Sequence, residues 1–160
     1  ASTGGFTQVL LEAGAPKVFA VDAGHNQLDW KIRQDPRVVV HEKTNARHME
    51  YSLIGQTVDI IVVDVSFISL EKILPALRQF SLPGSTDWIT LIKPQFEVGR
   101  EKVGKGGIVQ SPDDRQQAVA RVTEFAMSIG LERQGLIESP IAGTDGNQEY
   151  LAHWRQRAAP

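Results

Sequence analysis

Three residues stand where a catalytic crevice would form. Asp64 closes the apolar run Ile60-Ile-Val-Val63, Lys93 closes Trp88-Ile-Thr-Leu-Ile92, and Glu149 ends the segment Gly146-Asn-Gln-Glu149. Read as strands, the two apolar runs put Asp64 and Lys93 at carboxyl ends, where open α/β sheets bind ligands. An aspartate and a lysine on neighbouring strand ends can pair across such a crevice. A lysine that serves as a base must shed its proton near neutral pH. Burial favours that, whereas a neighbouring carboxylate opposes it, so a base role requires desolvation or proton transfer concerted with chemistry. A structural salt bridge at the sheet edge explains the same pair equally well. Glu149 alone is an ordinary polar residue after a turn.

A second group suits ligand binding. Gly4 and Gly5 precede a helical pattern, so backbone N–H groups there can approach a ligand closely; a plain helix-entry turn reads as well. Asp22 closes the next short apolar run, roughly 20 residues on, where doubly wound folds place an acidic residue for ribose hydroxyls. Together they favour an adenosyl ligand without separating NAD from S-adenosylmethionine, although the absence of a full G-x-G-x-x-G pattern counts against NAD. Arg100, Lys102 and Lys105 decorate a glycine-rich segment and suit either a phosphate backbone or a solvated loop. His25, His41, His48 and His153 show no ligand-like spacing, so no metal is expected. Asp113-Asp114 reads as charge at a helix start, and no serine lies in a G-x-S-x-G context.

The elements that must position these residues alternate between strand and helix. Phe6, Val9, Leu10 and Ala13 have helical spacing, with Ser2 or Thr3 as cap and Gly14 as stop. Lys17–Val21 is a strand, Gln27–Arg33 a helix with Leu28 and Ile32 inward, and Val38–Val40 a strand. Asp59–Val63 reads as a strand buried on both faces, followed by a helix over Leu70–Phe80 with Ile73, Leu74 and Leu77 on one side. Trp88–Ile92 is a strand stopped by Pro94, and residues 95–110 are irregular. Ser111-Pro112 starts a helix that runs to about Ile129. Leu131–Ile137 and Gln148–Trp154 are closing strands, and Arg155–Pro160 is a frayed end. This alternation predicts an α/β, Rossmann-like fold with a mostly parallel sheet. A nucleotide loop normally follows a strand. Here it opens the chain, so the first strand is expected to be missing from these 160 residues. Residues 1–155 are read as one domain and 156–160 as a tail.

Composition narrows the classes. Hydrophobic residues make up 41% and charged residues 22%, the balance of a globular domain. No run approaches the roughly 20 apolar residues of a membrane span, and the start does not resemble a signal peptide. The absence of cysteine removes thiolate chemistry and disulfides and fits a reducing cytoplasm. With a net charge of −2, RNA binding would need a local basic patch or a partner domain.

Ser2-Thr-Gly-Gly-Phe-Thr7, Val21-Asp22, Asp64-Val-Ser-Phe-Ile-Ser69, Lys93-Pro-Gln-Phe-Glu-Val-Gly99, Val103-Gly-Lys-Gly-Gly107 and Gly146-Asn-Gln-Glu149 occur in that order. This series resembles the TlyA-type (haemolysin A) family of FtsJ-like ribosomal RNA 2′-O-ribose methyltransferases over nearly the whole chain. The resemblance implies an S-adenosylmethionine-dependent methyltransferase acting on ribosomal RNA or ribosomal subunits, without a metal. It implies a Lys-Asp-Lys-Glu catalytic set whose last three members match Asp64, Lys93 and Glu149. The first lysine, the entering strand and an RNA-binding domain resembling ribosomal protein S-four are expected before residue 1. Gly4, Gly5 and Phe6 would face the methionine part of the cofactor and Asp22 its ribose, with Asp64 also at the cofactor. Asn45 reads as an adenine neighbour or as a structural loop asparagine. Arg100, Lys102 and Lys105 would meet RNA. Three other classes stand against this reading: a non-catalytic module that binds RNA and S-adenosylmethionine, a membrane-active haemolysin, and a nicotinamide-dependent oxidoreductase.

Overall fold

In the computed structural model, which describes residues 1–158, the β-branched runs of the sequence become short strands whose carboxyl ends carry the polar residues singled out above. Two units, Ala1–Gln56 and Thr57–Pro160, separate by their internal packing.

The first unit contains α1 (Gly5–Glu12), β1 (Val18–Val21), α2 (Trp30–Gln34), β2 (Val38–His41) and α3 (Tyr51–Ile54). β1 and β2 pair in parallel, with Val18 opposite Val38 and Val21 opposite His41. The cap of α1 is Gly4 rather than Ser2 or Thr3, and it makes no side-chain cap bond. Its φ of 106° lies in the left-handed region, and a Cβ there would meet Ile32 Cδ1 at 2.6 Å and Leu28 Cδ1 at 2.8 Å. Gly4 is thus demanded by backbone and packing together. The inward face of α1 also differs from the expected one. Thr7 and Leu11 are buried, whereas Val9 is 59% exposed. α2 starts three residues later than the pattern suggested, because the Asp29 carboxylate accepts the Lys31 N–H at 2.8 Å and caps it there.

The second unit contains β3 (Ile60–Val63), α4 (Leu74–Leu77), β4 (Asp87–Ile92), α5 (Pro94–Glu97), α6 (Pro112–Ser128), β5 (Leu131–Glu138) and β6 (Tyr150–Gln156), with sheet order β3-β4-β6-β5. β3 and β4 are parallel. The closing strands run antiparallel, since a turn-rich connection rather than a crossover helix joins β5 to β6. Trp88 and Trp154 sit opposite each other across β4 and β6, both fully buried. Their indole N–H groups donate to Ser81 Oγ at 3.0 Å and Thr90 Oγ1 at 2.9 Å, so neither burial leaves an orphan donor.

Three expectations need correction in this unit. β3 is not buried on both faces, because Ile60 is 46% exposed. The helix expected over Leu70–Phe80 breaks into a 3₁₀ turn at Leu70–Lys72, α4, and a second 3₁₀ turn at Arg78–Phe80. Pro75, in the first turn of α4, has no N–H to continue an earlier helix through it. Nor does the chain fray at Arg155. Arg155 and Gln156 belong to β6, Arg155 Nε pairs with Asp87 Oδ1 at 2.8 Å, and Arg157 Nε pairs with Glu132 Oε1 at 2.9 Å. Of that expected tail, only Ala159 and Pro160 lie outside the described residues. Ser111 caps α6 as expected, accepting from the Asp114 N–H at 3.2 Å. Among the described residues no helix is long and apolar enough to cross a membrane, and no three His, Cys, Asp or Glu gather as metal ligands.

Candidate active site

The parallel register of β3 and β4 brings Asp64 and Lys93 out at the same end of the sheet. Lys93 Nζ lies 2.7 Å from Asp64 Oδ1 and donates to Ser66 Oγ at 3.0 Å. The lysine side chain is 14% exposed and that of Asp64 is 37% exposed, so the stem is sheltered while the carboxylate faces solvent. An ammonium has three hydrogens to donate. Asp64 and Ser66 occupy two, leaving one.

The loop after Asp64 is held by a contact that the sequence did not reveal. Glu97, at the end of α5, is 3% exposed and accepts from Ser69 Oγ at 2.7 Å and from the Leu70 N–H at 2.9 Å. It ties the segment carrying Asp64 and Ser66 to the segment carrying Lys93. Burial pushes the Glu97 carboxyl up, and the two hydrogen bonds oppose it without cancelling it. A carboxyl raised in the folded state stabilises the fold at low pH, and that contribution is lost as pH rises through its folded value. Glu97→Gln, which can keep both contacts as a neutral amide, is expected to gain stability relative to the parent as pH climbs from about 4. Denaturant titrations across that range check it; a difference independent of pH would contradict it.

Phe67 lies on the same loop. It is 90% exposed, has φ 63°, and its ring centroid is 5.0 Å from that of Phe96. A left-handed aromatic residue costs on the order of 1–3 kcal/mol and persists only where its surroundings impose it. The result is an aromatic face turned to solvent beside the Asp64–Lys93 pair.

Glu149 precedes Tyr150, which pairs with Ile92, and so comes to the strand end that carries Lys93; it accepts from Gln95 Nε2 at 3.1 Å. Its neighbour Asn147 is 1% exposed; its Oδ1 accepts the Val109 N–H at 2.9 Å and its Nδ2 donates to the Gly107 carbonyl at 2.8 Å. Asn147 therefore fastens the glycine-rich loop to the turn before β6. Within that loop Lys102 is anchored, with Nζ 2.8 Å from Asp114 Oδ1 and 2.6 Å from Gln117 Oε1. Arg100 and Lys105 are exposed, and no acidic side chain among the described residues pairs with either.

In the first unit, Asp22 follows β1. Its Oδ1 accepts the Gly24 N–H at 2.8 Å, and its Oδ2 takes the Ser2 N–H at 2.6 Å and the Ala1 amino nitrogen at 2.9 Å. Burial raises this carboxyl, and the donors, the backbone N–H groups of Gly24 and Ser2 among them, outweigh it and lower it. A Cβ at Gly5 would meet nothing within 4 Å, so space for a ligand lies open there, with Phe6 half-buried beside it. Asn45 uses its side-chain oxygen to cap the 3₁₀ turn Ala46–His48, accepting the Arg47 N–H at 3.0 Å. It also lines an open pocket of about 500 Å³ with Thr44, His48, Met49 and Leu53.

Sequence reasoning singled out Asp64, Lys93 and Glu149 but missed Ser66, Phe67, Gln95, Glu97 and Asn147. All five lie inside the motif segments quoted above, which was the available signal.

The described architecture is that of a methyltransferase fold. It matches the N-methyltransferase NodS of Bradyrhizobium japonicum, solved with S-adenosyl-L-homocysteine, with a TM-score of 0.64 at 13% identity over 98% of this chain and 74% of that one. The FtsJ-like methyltransferase model matches residues 1–156, and the chain belongs to that family. It is 49% identical over 151 residues to the 16S/23S rRNA (cytidine-2′-O)-methyltransferase TlyA of Mycobacterium tuberculosis, covering 94% of this chain and 56% of that protein. A crystal structure of a hemolysin-named protein from Lactococcus lactis superposes with a TM-score of 0.92 at 45% identity, covering 96% of this chain and 74% of that one. The chain thus spans about half the length of the mycobacterial relative.

Proposed function

We propose that this protein transfers a methyl group from S-adenosylmethionine to a ribose 2′-hydroxyl of ribosomal RNA. The observation that carries the reading is the Lys93–Asp64–Ser66 cluster, a sheltered lysine with one hydrogen left to donate. The FtsJ-like family and the ribose methyltransferase name of the mycobacterial relative support the same chemistry.

The residues of the first unit fit the cofactor. Asp22 is an ionised carboxylate with roughly four acceptor positions, three of them taken by N–H groups in the structure, so a ribose diol can engage it by using the remaining position or displacing a donor. Gly5 presents bare backbone to open space, and Asn45 lines the open pocket assigned to the adenine in this reading. S-adenosylmethionine, when bound, supplies a methyl group already activated on a sulfonium. What remains for the chain is to align an acceptor oxygen with it. Lys93 donates its free hydrogen to the 2′-oxygen and holds it in line; Asp64 and Ser66 fix the ammonium; Glu149 braces the set through Gln95. The hydroxyl proton would pass to solvent water as the carbon–oxygen bond forms and the methyl carbon–sulfur bond breaks. Arg100 and Lys105 meet phosphates, and Phe67 offers a face on which an unstacked base can lie. A ribosomal RNA substrate puts the reaction in the cytoplasm.

The test is incorporation of labelled methyl from S-adenosylmethionine into ribosomal RNA, presented free and as subunits, by the full-length protein. Label in RNA is expected; cofactor binding without label would overturn the reading in favour of a binding module. Asp22→Ala is expected to weaken cofactor binding by about 10- to 100-fold, the worth of a charge-assisted hydrogen bond or two. Calorimetric titration checks it, and unchanged affinity would remove Asp22 from the site.

A further inference from the structure

We propose that the Glu149 carboxylate is seated between two positioning residues, Gly143 and Gln95, and that the missing side chain of Gly143 sets where it points. This rests on the reading that Glu149 takes part in the reaction.

A Cβ at Gly143 would lie 2.4 Å from Glu149 Oε1, 2.9 Å from Cδ and 3.5 Å from Oε2. The backbone does not require glycine there, since its φ falls outside the left-handed region. Gly146 in the same turn is the opposite case, with φ 88° and nothing within 4 Å of its Cβ position. Gly143 is therefore needed for room, and the room is filled by the carboxylate.

The turn itself is firm. The Gly143 N–H donates to the Asn147 carbonyl at 2.9 Å, the Gly146 N–H donates to the Gly143 carbonyl at 2.8 Å, and the Asn147 side chain is fixed at both ends. An added methyl group would thus move the carboxylate, the free end of a flexible side chain, rather than the turn. Gln95, two residues after Lys93, supplies the second contact at 3.1 Å. Its Oε1 is buried without a protein partner. Flipping the amide would set two acceptors against each other, so Glu149 dictates the orientation at the expense of that oxygen. The carboxylate therefore has a wall in Gly143 and a donor in Gln95, and a displacement of about 1 Å is enough to cost on the order of 100-fold in rate.

The experiment compares Gly143→Ala, Gln95→Met, Glu149→Ala, Glu149→Asp and the double variant Gly143→Ala/Glu149→Asp in the full-length protein. Single-turnover methyl transfer, cofactor affinity and thermal midpoint are read for each. Gly143→Ala and Gln95→Met are expected to lose about 100-fold in rate with cofactor affinity and midpoint close to wild type. Aspartate withdraws the carboxylate by one methylene from the new methyl group. The double variant should accordingly lose less than the product of the two single losses. Full activity in Glu149→Ala would overturn the role of Glu149 and the seat with it. An inactive Glu149→Ala beside a fully active Gly143→Ala and Gln95→Met would overturn the seat alone. Losses that simply multiply, or a Gly143→Ala protein that fails to fold, would also overturn it.

Discussion

Lys93→Ala in the full-length protein is expected to lower methyl transfer by about 10²- to 10³-fold, the usual span for removing one positioned hydrogen-bond donor, while leaving cofactor affinity unchanged. The two effects separate because Lys93 belongs to the second unit, whereas Gly5, Asp22 and Asn45, proposed above to hold the cofactor, belong to the first. The lysine contributes a donor held by Asp64 at 2.7 Å and Ser66 at 3.0 Å, and alanine removes that donor and leaves both partners facing solvent or each other. Lys93→Arg is not expected to restore activity. A guanidinium keeps the charge but spreads its hydrogens in a plane, and it does not present one hydrogen from a compact head. Single-turnover transfer beside calorimetric titration makes the measurement. Transfer retained in Lys93→Ala would remove the residue from the reaction, and lost cofactor binding would show that it acts through the fold.

Asn147→Ala is expected to lower stability by about 3 kcal/mol, because it strands one buried and one half-buried backbone group at once and each costs roughly 1–3 kcal/mol. The groups are the Val109 N–H and the Gly107 carbonyl, with Val109 itself 1% exposed. For a chain of this size that is a fall of about 10 °C in midpoint. The variant should also unfasten the loop carrying Arg100 and Lys105, so the Val109 amide should exchange faster with solvent. A midpoint within about 1 °C of the parent would show that water or another group replaces the asparagine.

The places where the sequence was readable share one feature: their signal is local. β3 and β4 end where the apolar runs end, which located Asp64 and Lys93 and made their pairing foreseeable. Ser111-Pro112 named the start of α6 because a cap and a first-turn proline act within four residues. What escaped depends on distance in the chain. Glu97 matters because it reaches Ser69 and Leu70, 28 and 27 residues away, and no periodicity encodes that. Asn147 bonds 38 and 40 residues away. Val9 fits the helical stripe of α1 yet is exposed, because a stripe names a candidate face and only packing decides which part of it is covered. The unbroken helix expected over Leu70–Phe80 follows from apolar spacing alone, which takes no account of Pro75. Lys102 looked like its neighbours Arg100 and Lys105 until Asp114 and Gln117 were seen to hold it. Phe67 shows the limit best, since neither its left-handed backbone nor its exposure follows from Val-Ser-Phe-Ile.

The central claim is that the acceptor is a ribose hydroxyl, and the most direct test is to find where the methyl group lands. Ribosomal RNA treated with the full-length protein and S-adenosylmethionine would be digested to nucleosides and the products analysed by mass spectrometry. A new nucleoside whose added mass stays with the sugar after base cleavage, and whose phosphodiester resists alkali, is the predicted result. A methyl group on the base would contradict the account, since the Lys93–Asp64–Ser66 cluster would then be handling a different acceptor.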